Sequence, residues 1–287
     1  MSGIRGRFAA HLPIVLGLGA LLCGAGARAA EIYHLAVVPQ QTPIVTYQTW
    51  KPFTDQLARV TGLTIRLKVF RTFDEFEADL ANGLSELAFM NPYHQVVAHK
   101  AQGYIPLVRN GGQNLKGVLV VPKDSPIRTV RDLNGKTIGF PDPNAFAASL
   151  YLRAMLRERE NITFKSRYLI SHGNVYRHVI VGNVDAGGGA NVTLSRERPE
   201  TRDALHVLYE TPGVVAHPLS AHPRVPEKVR AAITTAVLAM VHDPHGQLLL
   251  KGVLMEKPFR ADFGRDYLPL EQLHLQRHNV VTKLPVP

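Results

Sequence analysis

The chain has 287 residues, a formal net charge of +10, and 45% hydrophobic and 20% charged residues, which is an ordinary globular composition with room for one large or two modest domains. Its only cysteine is Cys23, so the chain beyond it can hold no disulfide, cysteine-based metal site or cysteine nucleophile. The basic excess fits an anionic ligand, an anionic membrane surface or simple solubility, and no basic run interleaved with aromatic residues favours nucleic acid.

The N-terminal segment has the features of a secretory signal peptide. Basic residues precede an apolar run over residues 12–23, and residues 27–29 form an A-x-A cleavage signal. The apolar run is short for a membrane span. Lipoprotein anchoring at Cys23 is not expected, because the preceding position normally holds a small residue and here holds Leu22. We therefore predict a signal peptide over residues 1–29 and an exported protein.

The first half of the exported chain alternates strands with helices. The expected strands are residues 31–38, 64–70 and 84–90. The first helix ends at Gly62, and the second begins with a capping box formed by Thr72 and Glu75. This alternation predicts parallel βαβ units, in which ligands bind at the carboxyl ends of strands. The polar turns at residues 39–46 and 91–94 follow such ends.

The second half begins after a polar stretch, residues 110–114, which suits a crossover into a second lobe. The elements expected beyond it are strands at 117–121, 136–140, 168–170, 205–209 and 214–217, and a helix at 227–241. The tail, which contains Phe259 and Tyr267, is expected to pack on the outside of the lobes. The segment 182–187 echoes the segment 81–88, and an asparagine follows each one, Asn191 and Asn91 respectively. This echo indicates either two similar lobes or a chance likeness between two βα units.

The turn after Phe140 is the first candidate for a ligand site. Pro141 and Pro143 break the chain, and Asn144 is a good N-cap for a helix over residues 145–157. The first N–H groups of a helix lack internal partners, and the helix dipole favours negative charge there, so this turn could bind an anion. The same pattern also fits an ordinary βα turn that binds nothing.

Further candidates are polar or aromatic side chains close to predicted strand ends. His172 could donate to an anion or make a structural hydrogen bond. Asp185 could cap the next turn. Side chains that could line a cleft as apolar walls or neutral donors are Gln40, Gln41, Thr46, Tyr47 and Tyr93.

The sequence predicts neither catalysis nor a metal site. The side chains of Ser171 and His172 diverge because the residues are adjacent, so they do not easily pair as nucleophile and base. G-x-S-x-G, paired-carboxylate and Walker patterns are missing from the sequence. Two histidine pairs have ligand-like spacing, but neither has a third ligand nearby. We therefore expect a protein that is not an enzyme and uses no cofactor or metal.

Several segments occur in the order typical of a known family. They are residues 50–52, residues 86–89 with Pro92, residues 121–127, residues 142–144, His172, and residues 182–186. In these segments the chain resembles the phosphonate-binding (PhnD-type) family of periplasmic solute-binding proteins, the binding components of ABC importers. The resemblance implies an α/β, two-lobed periplasmic-binding-protein fold of type II, with mixed sheets flanked by helices and a two-strand hinge.

The resemblance also implies a function, a location and partners. We expect a periplasmic protein that captures a small anionic solute, phosphonate-like or another organic anion, in an interlobe cleft for an ABC permease in the inner membrane. The alternative is a periplasmic sensor that presents its ligand to a receptor kinase, since both roles use the same closed, ligand-bound lobes. In either role we expect a monomer that binds no nucleic acid. Lobe 1 is predicted at residues 30–110 with 213–287, and lobe 2 at 116–211.

The ligand motif departs from the family pattern. After Asp-Pro-Asn the family typically carries Ser-Thr-Ser-Gly, whose hydroxyls and amides hold the phosphonate oxygens, whereas this chain has residues 145–148 as Ala-Phe-Ala-Ala. Met90 stands at a family tyrosine, and Gly173 replaces the acid that follows the family histidine. We therefore expect an anion with an apolar part ahead of inorganic phosphate. The predicted ligand-binding residues are Gln41, Thr46, Tyr47, Met90, Asn91, Tyr93, Asn144, Ala145, Phe146, Ala147, His172 and Asp185.

Overall fold

The structure is a computed structural model that describes Gly3 and residues 31–278. The predicted signal peptide, residues 1–29, lies outside the described residues except for Gly3. Among the helices of the described residues, none combines the length and the apolar character that a membrane crossing requires.

Strands and helices alternate through the first part of the described chain. Its elements are β1 (Ile32–Val37), α1 (Pro43–Thr61), β2 (Thr64–Lys68), α2 (Phe73–Ala81), β3 (Leu87–Phe89), α3 (Pro92–Gln102) and β4 (Ile105–Asn110). Gly62 ends α1 with a left-handed φ of 69°, and the Thr72 side chain accepts from the Glu75 amide at the start of α2, as predicted from the sequence.

The middle part of the chain forms a second set of elements. They are β5 (Gly117–Pro122), β6 (Thr137–Phe140), a π-helical turn (Phe146–Tyr151), α4 (Leu152–Glu158), β7 (Lys165–Tyr168), α5 (His172–Ile180), β8 (Ala186–Ala190), α6 (Asn191–Leu194), α7 (Pro199–Asp203) and β9 (Leu205–Glu210). The chain then returns through β10 (Pro218–Ala221), α8 (Glu227–Ala239), α9 (Pro244–Gly252) and β11 (Pro258–Arg260), and short helical turns lead to His278.

Within the described residues the strands form two mixed sheets. The six-stranded sheet has the order β11-β4-β10-β3-β1-β2, in which β1 runs parallel to both its neighbours while β10 runs antiparallel to β3 and β4. The five-stranded sheet has the order β7-β6-β8-β5-β9, in which β6 is parallel to both its neighbours and β5 is antiparallel to both of its own. We call the first sheet with its helices lobe 1 and the second lobe 2. The predicted mixed α/β class is confirmed.

Two segments connect the lobes. The chain leaves lobe 1 between β4 and β5 and returns between β9 and β10. Leu115 and Val214, one from each segment, pair through two backbone hydrogen bonds of 2.8 and 2.9 Å. This antiparallel bridge forms the two-strand hinge that the family resemblance implied.

Each lobe packs its own apolar core against its sheet. Phe53, Phe76 and Leu87 are fully buried in lobe 1, and Ile138 and Phe140 are fully buried in lobe 2. Burial of apolar side chains of this size stabilises the fold by about 1.5–3 kcal/mol each. The two sheets are therefore stable platforms that hold the turns at their strand ends.

Four local predictions need correction. The strand expected at 214–217 lies instead at Pro218–Ala221, and only Val214 of the expected range pairs, with Leu115 of the hinge. The helix expected from residue 145 begins instead as the π-helical turn, whose N-cap is Ala145, because the Asn144 side chain donates to Glu77. The strand expected at 168–170 ends at Tyr168, since Ile170 adopts a left-handed φ of 73°. The tail was expected to pack on the outside of the lobes, but Tyr267 is fully buried and donates to the Ala216 carbonyl.

Candidate ligand-binding cleft

Turns at the carboxyl ends of four parallel strands line a cleft between the lobes. Gln40 follows β1 and Asn91 follows β3 in lobe 1, while Ala145 follows β6 and His172 follows β7 in lobe 2. Side chains at such ends meet across facing sheets, which is where open α/β folds bind their ligands. Two adjoining cavities occupy this cleft, and His172 and Gln40 line both of them.

The first, which we call the central cavity, has a volume of about 20 Å³. This is room for about one water molecule. Its lining is Val38, Gln40, Phe73, Asn91, Leu115, Ala145, Phe146, Ala147, Ala148, His172, Ala190 and His217. The central cavity is thus too small for an oxyanion with its hydrogen-bond partners, and most of its walls are apolar.

The Ala145–Ala148 turn fills the space of the central cavity because it lies directly on the sheet of lobe 2. A Cβ on Gly188 of β8 would lie 2.3 Å from the Ala148 carbonyl oxygen, so only glycine permits this close approach. The Phe146 ring stacks between Tyr151, at 5.7 Å, and Tyr93 of lobe 1, at 6.4 Å. Stacking on both faces fixes the ring in place and packs lobe 2 against lobe 1.

A buried polar cluster joins the lobes beside this turn. The Asn144 amide donates to Glu77 at 3.2 Å, and the other Glu77 carboxylate oxygen lies 3.0 Å from His94 Nε2. Burial raises the pKa of Asp142 to about 6, and the nearby charges of Glu77 and Asp74 raise it further. The hydrogen bond from the backbone N–H of Asn144 acts in the opposite direction and lowers this pKa. Asn144 thus links the lobes. Its side chain does not cap the turn, because it donates to Glu77 instead.

The second cavity, which we call the arginine-lined cavity, has a volume of about 290 Å³ and lies beside the central one. This is roughly the volume of ten water molecules in the liquid. Its lining from lobe 1 is Gln40, Gln41, Thr42, Val45, Thr49, Trp50, Phe89, Gly252, Val253 and Leu254; from lobe 2 it is Ser171, His172, Gly173, Arg177, Thr193, Arg196 and Glu197. A cavity with both lobes in its wall can exist only when the lobes are in contact.

His172 stands between the two cavities as a neutral hydrogen-bonding group. Its Nδ1 lies 3.1 Å from the Thr193 hydroxyl, which itself donates to the Ala190 carbonyl at 2.9 Å. The same hydroxyl lies 3.1 Å from the Tyr176 hydroxyl. Burial lowers the pKa of His172 to about 4, so the ring is neutral at physiological pH, with one nitrogen a donor and the other an acceptor. Among the described residues, none hydrogen-bonds its Nε2.

His217, which follows the hinge, has the same neutral character. Its Nε2 lies 3.0 Å from the Gln40 side-chain nitrogen, and its ring stacks on Phe89 at 5.5 Å. Burial lowers the pKa of His217 to about 3, with smaller contributions from His94 and His172. Both cleft histidines are therefore neutral hydrogen-bonding groups rather than positive charges.

The charges of the arginine-lined cavity come from α5 and from the end of α6. Arg177 binds the Asn174 side chain through one Nη atom, and its other guanidinium nitrogens have no hydrogen-bond partner among the described residues. A Cβ on Gly173 would lie 3.3 Å from Glu197 Oε1 and 3.5 Å from Arg177 Nη1. The Glu197 carboxylate thus lies close to where a side chain at position 173 would begin. The Glu197 carboxylate therefore lies beside Gly173, the position at which the family pattern has an acidic residue.

The structure brings half of the predicted ligand residues to the cavities. Gln41 lines the arginine-lined cavity, His172 lines both, and the central cavity is lined by Asn91, Ala145, Phe146 and Ala147. Four others lie elsewhere: Thr46 is buried in α1, Tyr47 is 46% exposed, Met90 is fully buried in the core of lobe 1, and Tyr93 stacks on Phe146. Asn144 faces Glu77, as described above.

Asp185 is placed far from the cleft. It directly precedes β8, so it lies at the amino edge of the lobe 2 sheet, whereas the cleft is at the carboxyl edge. Its carboxylate accepts from the Thr137 amide at 2.8 Å, and its own amide donates to the Thr137 carbonyl. The prediction that Asp185 contacts a ligand is therefore not supported, because its side chain caps the start of β6.

Several residues of the arginine-lined cavity were not predicted from the sequence. Ser171 is the N-cap of α5, so His172 is the first residue of that helix, and Gly173 and Arg177 fall on one face with i, i+4 spacing. Recognition of Ser171 as an N-cap would have identified Arg177. Arg196 and Leu254 had no such local signal, since they come from distant parts of the chain. Among the described residues, no group of three or more histidine, cysteine or carboxylate side chains could hold a metal ion.

Comparison with known proteins identifies relatives of this chain. A family described as "ABC transporter, phosphonate, periplasmic substrate-binding protein" matches residues 35–267. The phosphonates-binding periplasmic protein of Escherichia coli (strain K12) is 24% identical over 244 residues, which cover 79% of this chain and 71% of that protein.

Solved structures share the fold at low sequence identity. A binding protein component of an ABC phosphonate transporter from Pseudomonas aeruginosa has a TM-score of 0.77 at 16% identity and covers 90% of this chain and 91% of its own. PhnD1 of Prochlorococcus marinus in complex with methylphosphonate also has a TM-score of 0.77, at 15% identity, and covers 88% of this chain and 100% of its own. An ancestral arginine-binding protein has a TM-score of 0.54 at 14% identity, with 77% and 96% covered. The two-lobed type II fold is confirmed.

The family match extends over most of the described chain, from β1 to the buried Tyr267, and includes both lobes and the hinge. Members of this family are substrate-binding proteins rather than enzymes, which agrees with the sequence prediction. Their location is the periplasm. The chain belongs to the phosphonate-type periplasmic substrate-binding proteins of ABC transporters.

Proposed function

We propose that this protein captures a small organic anion in the arginine-lined cavity and delivers it to an ABC permease. The observation that carries the proposal is the contrast in volume between the two cavities, about 20 Å³ in the centre and about 290 Å³ beside it. Family membership supports the transport role, and the position of the cavity between both lobes supports capture by closure. A ligand held there would bridge the lobes and favour the closed form.

Arg177 is the group best suited to hold the anionic end of the ligand. Its free guanidinium nitrogens belong to a side chain that lines the cavity and extends from lobe 2. A guanidinium binds carboxylate, sulfonate or phosphonate oxygens through two parallel hydrogen bonds. The carboxylate of Glu197 lines the same cavity and partly offsets the two arginine charges, so a monoanion suits the site better than a dianion.

Other walls of the cavity indicate the rest of the ligand. Trp50 and Val45 provide apolar surface in lobe 1. The Glu197 carboxylate is an acceptor, and the neutral ring of His172 adds a hydrogen-bonding group, so a ligand hydroxyl or amine would find a partner. We therefore propose an organic anion with an apolar body and a hydrogen-bond donor.

The central cavity argues against inorganic phosphate and simple phosphonates as the preferred ligands. The hydroxyls typical of the family motif are missing from Ala145–Ala148, and Phe146 packs into the space. Each hydrogen bond to a charged oxygen that is lost removes about 1.5–3 kcal/mol of stabilisation. A phosphate would also have to displace the stacked ring of Phe146.

Titration calorimetry with the purified protein tests this proposal. The panel is phosphate, methylphosphonate, phenylphosphonate, benzoate and 4-hydroxybenzoate. We expect the aromatic anions to bind more tightly than methylphosphonate and phosphate, and 4-hydroxybenzoate more tightly than benzoate. Submicromolar binding of phosphate or methylphosphonate would contradict the proposed ligand class, as would the failure of every aromatic anion to bind.

A further inference from the structure

The turn that ends α9 has an uncommon residue in a well-defined position. The Met255 amide donates to the Leu250 carbonyl at 2.8 Å and the Leu254 amide donates to the Lys251 carbonyl, the hydrogen bonds of a Schellman motif. Leu254 is its left-handed residue, with a φ of 62°, at the position where glycine is usual. A leucine in this conformation is destabilised relative to glycine, because its Cβ crowds the following carbonyl.

Leu254 also forms part of the wall of the arginine-lined cavity. Backbone strain at a single residue is maintained where the side chain is needed in place, and such residues concentrate at binding sites. Glycine would remove the strain, but it would also remove this part of the cavity wall. The position therefore points to a requirement for the Leu254 side chain.

A side chain from lobe 2 contacts the same turn. Arg196, just after α6, donates to the Gly252 carbonyl at 2.9 Å and to the Lys251 carbonyl, and it lies 3.8 Å from Glu256. These carbonyls end a helix, where the dipole is negative and a cation is favoured. Arg196 thus makes a charge-assisted contact between the lobes at the wall of the cavity.

We propose that the end of α9 is a part of lobe 1 that recognises the ligand and closes on it, beside the apolar surface of Trp50 and Val45. Leu254 supplies the apolar wall that selects an organic anion over an inorganic one, and Arg196 holds this wall against lobe 2 in the closed form. This inference rests on the proposed function, because it assigns roles within the same cavity. Arg177 remains the partner of the ligand's charge, since the Nη atoms of Arg196 are already engaged with α9.

The role of Leu254 is tested by Leu254→Gly with 4-hydroxybenzoate and methylphosphonate as probes. Removal of the wall should weaken 4-hydroxybenzoate about tenfold and leave methylphosphonate within about twofold, because only the larger anion reaches apolar surface. Thermal unfolding should show no loss of stability, since the strain is relieved. Unchanged affinity for 4-hydroxybenzoate, or an equal loss for both probes, would overturn this role.

Asn161→Gly is the matched control for the backbone change. Asn161 also has a left-handed φ, 53°, but it lines neither cavity. Affinity for 4-hydroxybenzoate should be unaffected in this variant. A loss equal to that of Leu254→Gly would show that the effect comes from the glycine itself and would overturn the assignment.

The role of Arg196 is tested without any ligand, by small-angle X-ray scattering of Arg196→Gln. Loss of the contact to α9 should increase the radius of gyration, as the lobes separate, whereas Arg167→Gln should leave it unchanged. An unchanged radius for Arg196→Gln would overturn the closing role. If the wild-type protein binds no member of the panel, the proposed function and the role of Leu254 both fail, and scattering still decides on Arg196.

Discussion

The central and arginine-lined cavities share His172 and Gln40, yet they differ in almost every other property. Most walls of the first are apolar, and it has room for about one water molecule, while the second includes two arginines and a glutamate in its lining and is more than ten times larger. The Phe146 ring lines and narrows the central cavity, and Gly173 leaves the space beside Arg177 without a side chain. The two cavities therefore offer different surfaces to a ligand within one cleft.

The largest effect is expected from Phe146→Ala. The Phe146 ring is buried between Tyr93 and Tyr151, so its removal should destabilise the protein by about 3–5 kcal/mol. Urea unfolding followed by circular dichroism measures this change. Tyr47→Ala is the control. Tyr47 is 46% exposed, so this substitution should change the free energy of unfolding by less than about 1 kcal/mol. Equal effects of the two variants would mean that Phe146 does not fill the central cavity.

The next effect is on binding, through Arg177→Gln. Loss of a charge-assisted hydrogen bond should weaken 4-hydroxybenzoate by about 1.5–3 kcal/mol, or roughly tenfold to a hundredfold. Calorimetry measures the affinity, and Arg167→Gln, which removes a charge outside both cavities, is the control. Similar losses in both variants would indicate a general effect of net charge and not a specific contact.

A smaller effect concerns the polar cluster beside the central cavity. Burial raises the pKa of Asp142 to about 6 in the folded protein, so its contribution to stability is full below pH 4 and is lost as the pH rises through 6. Asp142→Asn should remove this loss and stabilise the protein by about 2 kcal/mol at pH 8, with little effect at pH 4. The side-chain oxygen of asparagine at position 142 can still accept from the backbone N–H of Asn144.

Chemical denaturation at pH 4, 6 and 8 measures the difference between Asp142→Asn and the wild type. Glu77, Asp74, His94 and Arg153 are charged or titratable groups near Asp142, and they are the same in both proteins. A stability difference that does not change with pH would show that Asp142 ionises normally in the fold.

The smallest effect is expected at Asp185. Its carboxylate caps the Thr137 amide at the edge of the sheet away from the cleft, so Asp185→Ala should reduce stability by about 0.5–1.5 kcal/mol. Ligand affinity should not change. A tenfold loss of affinity at unchanged stability would restore the ligand role predicted from the sequence and would contradict the position described here.

Much of the fold could be predicted because its signals are local. Gly62 and the capping box at Thr72 mark helix ends, and polar residues 110–114 mark the crossover. The site was harder to predict, because hydrogen bonds between residues that are distant in sequence decide where its side chains point. Asn144 has the sequence context of an N-cap, but its side-chain amide donates to Glu77 of the other lobe.

The arginine-lined cavity shows the same limit of local patterns. Leu254 reads as an ordinary apolar residue after a helix, and only its left-handed backbone reveals the strain. Arg196 contacts carbonyls 55 and 56 residues away, and no spacing rule connects them. The ligand role of Asp185 followed from the family resemblance and overlooked its position directly before a strand, which is at the edge of the sheet away from the carboxyl ends.

We propose that the ligand's anionic group lies beside Arg177 in the arginine-lined cavity. A crystal structure of the protein soaked with 4-bromobenzoate would locate this group, because the bromine gives an anomalous signal that fixes the position and orientation of the ring. We expect the carboxylate within hydrogen-bond distance of Arg177 and the bromine peak inside this cavity. A carboxylate bound at the Ala145–Ala148 turn, or a peak only outside the cleft, would show that Arg177 does not hold the anion.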